Sequence, residues 1–131
     1  MGALHDGHLA LIEASKAEND VTIASIFVNP TQFNEKSDLN SYPRTPEEDC
    51  AGLEQHGCDI VFIPTVEDIY PDGLTEVRSD YGLLTNSLEA ASRPGHFDGV
   101  IQVVRRLLEI MTCQNAYFGE KDFQQLAVVR H

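Results

Sequence analysis

Two histidines near the start of the chain have the spacing of a phosphate-binding helix start. In the segment His5-Asp6-Gly7-His8 they stand three residues apart, which places both rings on one side of a first helical turn. Gly7 lets a ligand approach the backbone closely, and the N–H groups of a helix start favour an anion. The segment therefore predicts a triphosphate site, with a solvated turn as the alternative. Half of a zinc site is a third interpretation, but it lacks cysteine or carboxylate partners nearby.

A second charged segment, Gly119-Glu120-Lys121-Asp122, directly follows a predicted strand. Ligands of α/β proteins bind at the carboxyl ends of parallel strands, so this segment is a candidate part of the same site. Lys121 is a compact cation for a phosphate, and Asp122 suits a ribose hydroxyl or a metal-linked contact. The alternative is a charged surface loop that starts a helix.

Polar side chains elsewhere suit a small hydroxy acid or its carboxylate. Asn29 and Gln32 follow a predicted strand and can both donate and accept hydrogen bonds, although Asn29 also begins an Asn-Pro turn. Arg93 can clamp a phosphate or carboxylate, or it can form a structural salt bridge with Glu89. The pair Gln124-Gln125 is typical of solvated surface, but one of the two could face the same cleft.

Helical and strand patterns alternate along the chain, which predicts an α/β fold with a mainly parallel sheet. Apolar, β-branched runs predict strands at 21–28, 59–64 and 115–119, the first two covered on both faces. Apolar spacing predicts helices at about 8–17 and at 100–111, and a last helix is expected at 123–129. A start signal at Pro46 and a stop signal at Gly57 predict a helix between them. Thr45 and Glu48 have the spacing of a capping box for the second helix.

Length and charge exclude several classes of protein. The 131 residues suffice for one domain, and the net charge of −12 argues against a general nucleic-acid binder. No apolar run reaches the ~18 residues of a membrane span, and the first residues have no pattern of a secretory signal. We expect a cytoplasmic protein whose cysteines, Cys50, Cys58 and Cys113, are reduced and which has no metal site built from its own side chains.

Five separated segments, taken together and in order, resemble one enzyme family. They are Met1-Gly2-Ala3-Leu4-His5-Asp6-Gly7-His8, Ser25-Ile26-Phe27-Val28-Asn29-Pro30-Thr31-Gln32-Phe33, Tyr42-Pro43-Arg44-Thr45, Arg93-Pro94-Gly95-His96-Phe97-Asp98-Gly99-Val100 and Phe118-Gly119-Glu120-Lys121-Asp122-Phe123-Gln124-Gln125-Leu126. The set is similar to the pantothenate synthetase (pantoate–β-alanine ligase) family, within the HxGH nucleotidyltransferase-like superfamily.

The resemblance implies a Rossmann-like parallel sheet and an ATP-dependent ligase. In that family ATP and pantoate form pantoyl adenylate and pyrophosphate with Mg²⁺, and the amine of β-alanine then displaces AMP to give pantothenate. It implies pantoate and β-alanine as small-molecule partners, a homodimer, and no nucleic acid or membrane.

The resemblance also implies roles for individual residues. His8, His5 and Lys121 would be catalytic, with His8 as the general acid. ATP would be bound by Met1, Gly2, His5, Gly7, His8, Gly119, Lys121 and Asp122. The organic substrates would be bound by Asn29, Gln32, Gln125 and Arg93, and His96 would lie in a loop near the site.

The chain also departs from the family pattern. The family has a strand ending in Val-Pro-Thr before the position of Met1, and a fifth strand, a Ser-Ser-Arg-Asn phosphate loop and a C-terminal lid domain after that of His131. None lies within residues 1–131, which we therefore expect to form a partial nucleotide-binding Rossmann-type domain, an incomplete sheet with little ligase activity alone. Ala90 stands where the family usually has glycine.

Two other functions stay open at this point. The first is a nucleotidylyltransferase of the same superfamily that acts on a phosphorylated substrate. The segment from Asn29 to Phe33 and the side chain of Gln125 suit an uncharged polyol acid better than a phosphate. The second is a non-catalytic fragment that binds a nucleotide.

Overall fold

The computed structural model describes residues 3–33, 36–74 and 81–131, and it confirms an α/β fold with a small parallel sheet. The two strands are β1 (Ile23–Ser25) and β2 (Ile60–Phe62), and Pro30–Gln32 form a 3₁₀ turn. The helices are α1 (Asp6–Glu18), α2 (Lys36–Ser41), α3 (Pro46–Gln55), α4 (Val66–Ile69), α5 (Leu83–Asn86), α6 (Glu89–Ser92), α7 (His96–Met111) and α8 (Phe123–Arg130).

Contacts divide the chain into two compact units. The first unit comprises Met1–Val28, Tyr42–Thr65 and Tyr117–Gly119, and it holds the sheet with α1 and α3. The second unit comprises Asn29–Ser41, Val66–Ala116 and Glu120–His131, and it holds the remaining helices.

The sheet is shorter than the sequence pattern predicts. β1 and β2 run parallel with Ala24 opposite Val61, and each strand has three residues. The pairing continues slightly further, because the Ile26 amide donates to the Phe62 carbonyl at 2.9 Å. Ile60 is 49% exposed, so the expectation that both faces are covered is wrong for this strand among the described residues.

The predicted third strand at 115–119 is wrong, because these residues have no regular structure and pair with no described strand. An isolated apolar run cannot form a ladder without a neighbour. Side-chain bonds hold the segment instead. The Tyr117 hydroxyl donates to the Glu18 carboxylate at 2.6 Å and accepts from the Asn19 amide at 2.8 Å.

The predicted capping box at the start of α3 is also wrong. Thr45 is the residue before the helix and Pro46 the first helical residue, as expected, but the Thr45 side chain caps no backbone amide. Its hydroxyl donates to the Asp49 carboxylate at 3.2 Å, a charged and therefore stronger acceptor. The predicted end of the helix is confirmed, since Gly57 follows it with a φ of +81°.

In the first unit the core lies where α1 and α3 pack beside the sheet. Leu53 on α3 is 1% exposed, and burying such a side chain stabilises a fold by about 1.5–3 kcal/mol. The buried hydroxyls of Ser15 and Thr22 satisfy each other at 3.0 Å. At the edge, Lys16 and Asp59 form an ion pair at 2.8 Å, and this bond lowers the pKa of the Asp59 carboxyl.

The core of the second unit is the apolar stripe of α7. The predicted helix at 100–111 is confirmed and begins four residues earlier, at His96. Phe97 and Val100 on α7 are buried against Ala90 on α6 and Val128 on α8. This packing fixes the N-terminal end of α7, where several of the polar residues discussed below lie.

Replacing Leu88 by glycine should stabilise the protein by about 1 kcal/mol. Leu88 is 77% exposed and has φ +54° and ψ −124°, a backbone conformation that glycine adopts without strain. Denaturant unfolding measures the gain. Leu83→Gly is the control: this leucine is also exposed but is the first residue of α5, so its replacement should destabilise. Equal losses of stability in Leu88→Gly and Leu83→Gly would contradict the prediction.

Candidate functional site

The predicted phosphate site is a reciprocal cap at the start of α1. His5 is the residue before the helix, and its Nδ1 accepts the Gly7 amide at 3.1 Å. The His5 amide in turn donates to Nδ1 of His8 at 3.4 Å. The two ring centroids lie 4.0 Å apart. The sequence therefore correctly predicts that both rings share the first turn of a helix.

This cap determines what the rings can do chemically. Because both Nδ1 atoms accept backbone hydrogen bonds, each neutral ring carries its proton on Nε2. Both imidazoles can then donate from Nε2 to an oxygen atom. The arrangement suits a phosphate at the helix N-terminus, where negative charge is favoured.

Gly7 lies close beneath the ring of His5. A β-carbon at this position would lie 3.0 Å from Cε1 and 3.1 Å from Nδ1 of His5, which is tighter than an ordinary contact. A side chain here would therefore require the His5 ring to shift by a few tenths of an ångström.

Asn29, a predicted substrate contact, is buried and holds the 3₁₀ turn in the second unit. Its Oδ1 accepts from the Tyr70 hydroxyl at 2.9 Å and from the Thr31 hydroxyl at 3.0 Å. Its amide donates to the Gly99 carbonyl at 3.1 Å. Burial raises the pKa of Tyr70, so that its hydroxyl remains a donor. Asn29 is 2% exposed, so these bonds give it a structural role, and its substrate role stays a prediction.

The main-chain carbonyl of Gln32 accepts hydrogen bonds from the side chains of Arg93 and His96. The Arg93 guanidinium donates to it at 3.5 Å, and His96 Nδ1 donates to it at 3.2 Å. Arg93 also pairs with Glu89 at 2.9 Å, which is the salt bridge that the sequence offers as an alternative. The side-chain amide of Gln32 has no hydrogen-bond partner among the described residues. Ligand binding by Gln32 and Arg93 stays a prediction.

His96→Asn should change how stability depends on pH. Burial lowers the pKa of His96, only partly opposed by its bond to the Gln32 carbonyl. The unfolded chain therefore binds this proton more readily, and the stability present above the unfolded pKa of about 6.5 is lost as pH falls. Asparagine keeps a donor near the Nδ1 position.

Urea unfolding at pH 8 and pH 5 measures this effect. The deficit of His96→Asn relative to wild type should be larger at pH 8 than at pH 5. Arg93 adds to the lowering, whereas Glu89 and Asp122 oppose it. A deficit of His96→Asn that is the same at both pH values would refute the assignment.

The two adjacent glutamines on α8 have different surroundings. Gln124 is 8% exposed, so the surface interpretation is wrong for it. Its Oε1 accepts the Glu89 amide at 3.0 Å, and its Nε2 donates to the carbonyls of Leu84 and Ser87 at 2.9 and 2.8 Å. Gln125 is half-buried, and its amide has no partner within the described ranges. Of the pair, Gln125 is therefore the one whose amide remains for a ligand.

The remaining predicted contacts with ATP are exposed or lie outside the described residues. Lys121 and Asp122 are exposed, and Asp122 precedes α8 without capping it. Gly119 has open space around it, because no atom would come within 4 Å of an added β-carbon. Met1 and Gly2 fall outside the described ranges. The roles of these five residues stay predictions.

Neither a metal cluster nor a membrane span is found in the part of the chain that the structure describes. No group of three or more His, Cys, Asp or Glu side chains there is placed to hold a metal ion. No helix there has the length and hydropathy needed to cross a membrane. The three cysteines form no disulfide.

The chain thus has an α/β fold with a small parallel sheet, and a histidine pair lies at the start of α1. It belongs to the pantoate-beta-alanine ligase family, whose model matches residues 1–131. A pantothenate synthetase from Porphyromonas gingivalis is 55% identical over 99% of this chain and 46% of its own length, and one from Bacteroides fragilis is 54% identical over the same shares. The chain spans about half the length of the curated relatives it matches.

Solved structures agree with this assignment. A crystal structure of the pantoate-beta-alanine ligase of Francisella tularensis, complexed with beta-gamma ATP and beta-alanine, matches with a TM-score of 0.94 at 48% identity and covers 99% of this chain and 50% of that one. The pantothenate synthetase of Thermus thermophilus matches with a TM-score of 0.92 at 53% identity, with 99% and 47% covered.

Proposed function

We propose that this chain forms the nucleotide- and pantoate-binding part of an enzyme that joins pantoate to β-alanine with ATP. The observation that carries the proposal is the reciprocal cap of His5 and His8 at a helix N-terminus, which leaves the proton of each neutral ring on Nε2. Family membership suggests the substrates, and the crystal structure of the Francisella ligase that matches this chain is a complex with beta-gamma ATP and beta-alanine.

In the first step the pantoate carboxylate attacks the α-phosphorus of ATP. The bond from that phosphorus to the bridging oxygen breaks, and pyrophosphate leaves with the electron pair. Negative charge grows on the leaving oxygens, where donation from His5, His8 and Lys121 is worth most. The resemblance makes His8 the proposed general acid: the capped, neutral ring donates a hydrogen bond from Nε2, and it can transfer a proton only when Nδ1 is also protonated, which opens the bond from the His5 amide. Gly7, Gly119 and Asp122 complete the proposed ATP contacts together with Met1 and Gly2.

The polar groups of the second unit are the proposed site for pantoate. The amides of Gln32 and Gln125 have no partner among the described residues, which suits hydroxyl and carboxylate groups. For the buried Asn29, only the resemblance supports a contact with pantoate. Arg93 holds the Gln32 carbonyl and can extend to the carboxylate.

In the second step the amine of β-alanine attacks the acyl carbon of pantoyl adenylate. The carbon–oxygen bond to AMP breaks, the amine loses a proton, and pantothenate and AMP are released. Water would compete for the same mixed anhydride, so the reaction needs an ordered site from which water is excluded.

Mg²⁺ fits the proposal as a companion of ATP. This ion is usually held by one or two carboxylates together with substrate phosphates and water, which requires no cluster of protein ligands. Asp122 is an exposed carboxylate that could serve it. When bound, Mg²⁺ neutralises charge on the phosphates. The resemblance alone supports two further parts of the proposal, a homodimer and a cytoplasmic location.

An exchange assay with the complete gene product tests the proposal. With ATP, Mg²⁺ and pantoate but no β-alanine, labelled pyrophosphate should enter ATP because the adenylate forms reversibly. Adding β-alanine should then yield AMP and pantothenate in equal amounts. Pyrophosphate release only with phosphorylated acceptors would favour a nucleotidylyltransferase, and ATP binding without any exchange would favour a non-catalytic nucleotide-binding chain.

A further inference from the structure

We propose that Asp49 is a positioning residue for the histidine pair: it tethers the backbone before His5 and so fixes the orientation of both rings. The inference rests on the proposed function only where its test uses the rate of adenylate formation. Asp49 lies in α3, a helix that contributes none of the predicted contacts, so the sequence patterns give it no role in the reaction.

Two consecutive backbone amides point at one carboxylate. The Ala3 amide donates to Oδ2 of Asp49 at 3.0 Å, and the Leu4 amide donates to Oδ1 at 2.7 Å. The acceptor lies 45 residues further along the chain than Leu4. Asp49 is 3% exposed, so water competes little for these charge-assisted bonds.

The carboxylate is itself held in place. It lies in the first turns of α3, where the helix dipole favours negative charge, and its backbone amide donates to the Thr45 carbonyl at 2.8 Å. The Thr45 hydroxyl donates to Oδ1 at 3.2 Å. Three donors thus meet one carboxylate, which leaves its side chain a single orientation.

The tether reaches the rings through the chain. Leu4 is followed directly by His5, whose amide donates to Nδ1 of His8 at 3.4 Å. Ala3 has a φ of +54°, a conformation that L-residues rarely keep unless neighbouring bonds hold it. A shift of the Ala3–Leu4 segment therefore moves the His5 amide and, with it, both histidine rings.

Asp49→Asn tests the tether with little change in shape. An amide group offers one acceptor oxygen where two backbone amides need two, so one of them faces an N–H₂ group. We expect kcat for adenylate formation to fall about ten- to hundredfold, because small misplacements of catalytic groups cost that much. The KM for β-alanine should not change. Glu48→Gln removes the same charge from an exposed neighbour on α3 and should leave kcat within about twofold, the ordinary result for a surface change.

A second pair of variants distinguishes loss of the tether from loss of the folded state. Thr45→Val removes only the hydroxyl donor to Asp49, and Thr45→Ser restores it. The tether predicts a smaller loss of kcat in Thr45→Val and recovery in Thr45→Ser at equal thermal stability. Equal rates in the two variants, or a rate loss in Asp49→Asn that only follows its folded fraction, would overturn the proposal.

A spectroscopic measurement separates this inference from the proposed function. In the ligand-free protein, imidazole ¹⁵N shifts of both His5 and His8 should change in Asp49→Asn and stay unchanged in Glu48→Gln. That result supports the tether even if the wild-type protein catalyses no pyrophosphate exchange. An inactive wild-type protein would contradict only the proposed function. Unchanged shifts in Asp49→Asn would overturn the tether whatever the activity.

Discussion

His8→Asn should lower the rate of pantoate-dependent pyrophosphate exchange by about 100- to 1,000-fold, the loss typical of removing one donor to a developing charge. Asparagine places its side-chain oxygen near the position of Nδ1, so the hydrogen bond from the His5 amide can persist. What disappears is the Nε2 donor alone. The fold should therefore survive while the chemistry is lost, mainly through kcat.

His56→Asn is the matched control for that experiment. His56 lies in the same unit, where its ring bonds to the Gly52 carbonyl at 2.8 Å, and no role in the site is proposed for it. Its replacement should leave the exchange rate within about twofold. If folded His8→Asn protein exchanged pyrophosphate about as fast as the His56→Asn control, a catalytic role for His8 would be refuted.

Gly99→Ala should destabilise the protein by about 1–3 kcal/mol and raise the KM for pantoate. A β-carbon at this position would lie 2.6 Å from the Thr31 carbonyl oxygen and 2.8 Å from its carbon. Backbone atoms cannot rotate away as a side chain can, so the 3₁₀ turn must move. That turn carries Gln32, and Asn29 bonds to the Gly99 carbonyl, so both predicted pantoate contacts shift with it.

Gly52→Ala provides the opposite expectation from the same type of substitution. Its β-carbon would meet only a Leu9 methyl group at 3.7 Å, an ordinary contact, and α3 would gain a better helix former. Gly52→Ala should raise the free energy of unfolding by about 0.5–1 kcal/mol in denaturant unfolding and leave the KM for pantoate unchanged. A Gly99→Ala variant as stable as wild type, with normal pantoate KM, would refute the close contact.

Local patterns in the sequence predict the four longest helices, α1, α3, α7 and α8, and their order, whereas the four short helices are not predicted. The apolar stripe from Val100 to Met111 and the glycine after α3 are short-range signals, and the structure confirms both. The strands are different, because a strand requires a neighbour that local sequence does not identify. The run at 115–119 has strand-like composition but no described partner, and it remains irregular.

The residues of the site differ in the same way: local sequence indicates some of them, whereas others depend on partners far away in the chain. The spacing of His5 and His8 is local, and it correctly predicts a shared helical turn. Asp49 and Gln124 act on residues 35 to 46 positions away, and nothing in their immediate sequence indicates these partners. Asp49 resembles a helix-start acid, and Gln124 resembles solvated surface. A buried polar side chain reveals its role only when its distant partners are known.

A crystal structure of the complete gene product with a non-hydrolysable ATP analogue would show whether the histidine pair binds the triphosphate. We expect phosphate oxygens at hydrogen-bond distance, about 2.7–3.2 Å, from Nε2 of His5 and His8 at the N-terminus of α1. A triphosphate bound elsewhere, with both rings still capping the helix and contacting no ligand, would contradict this expectation.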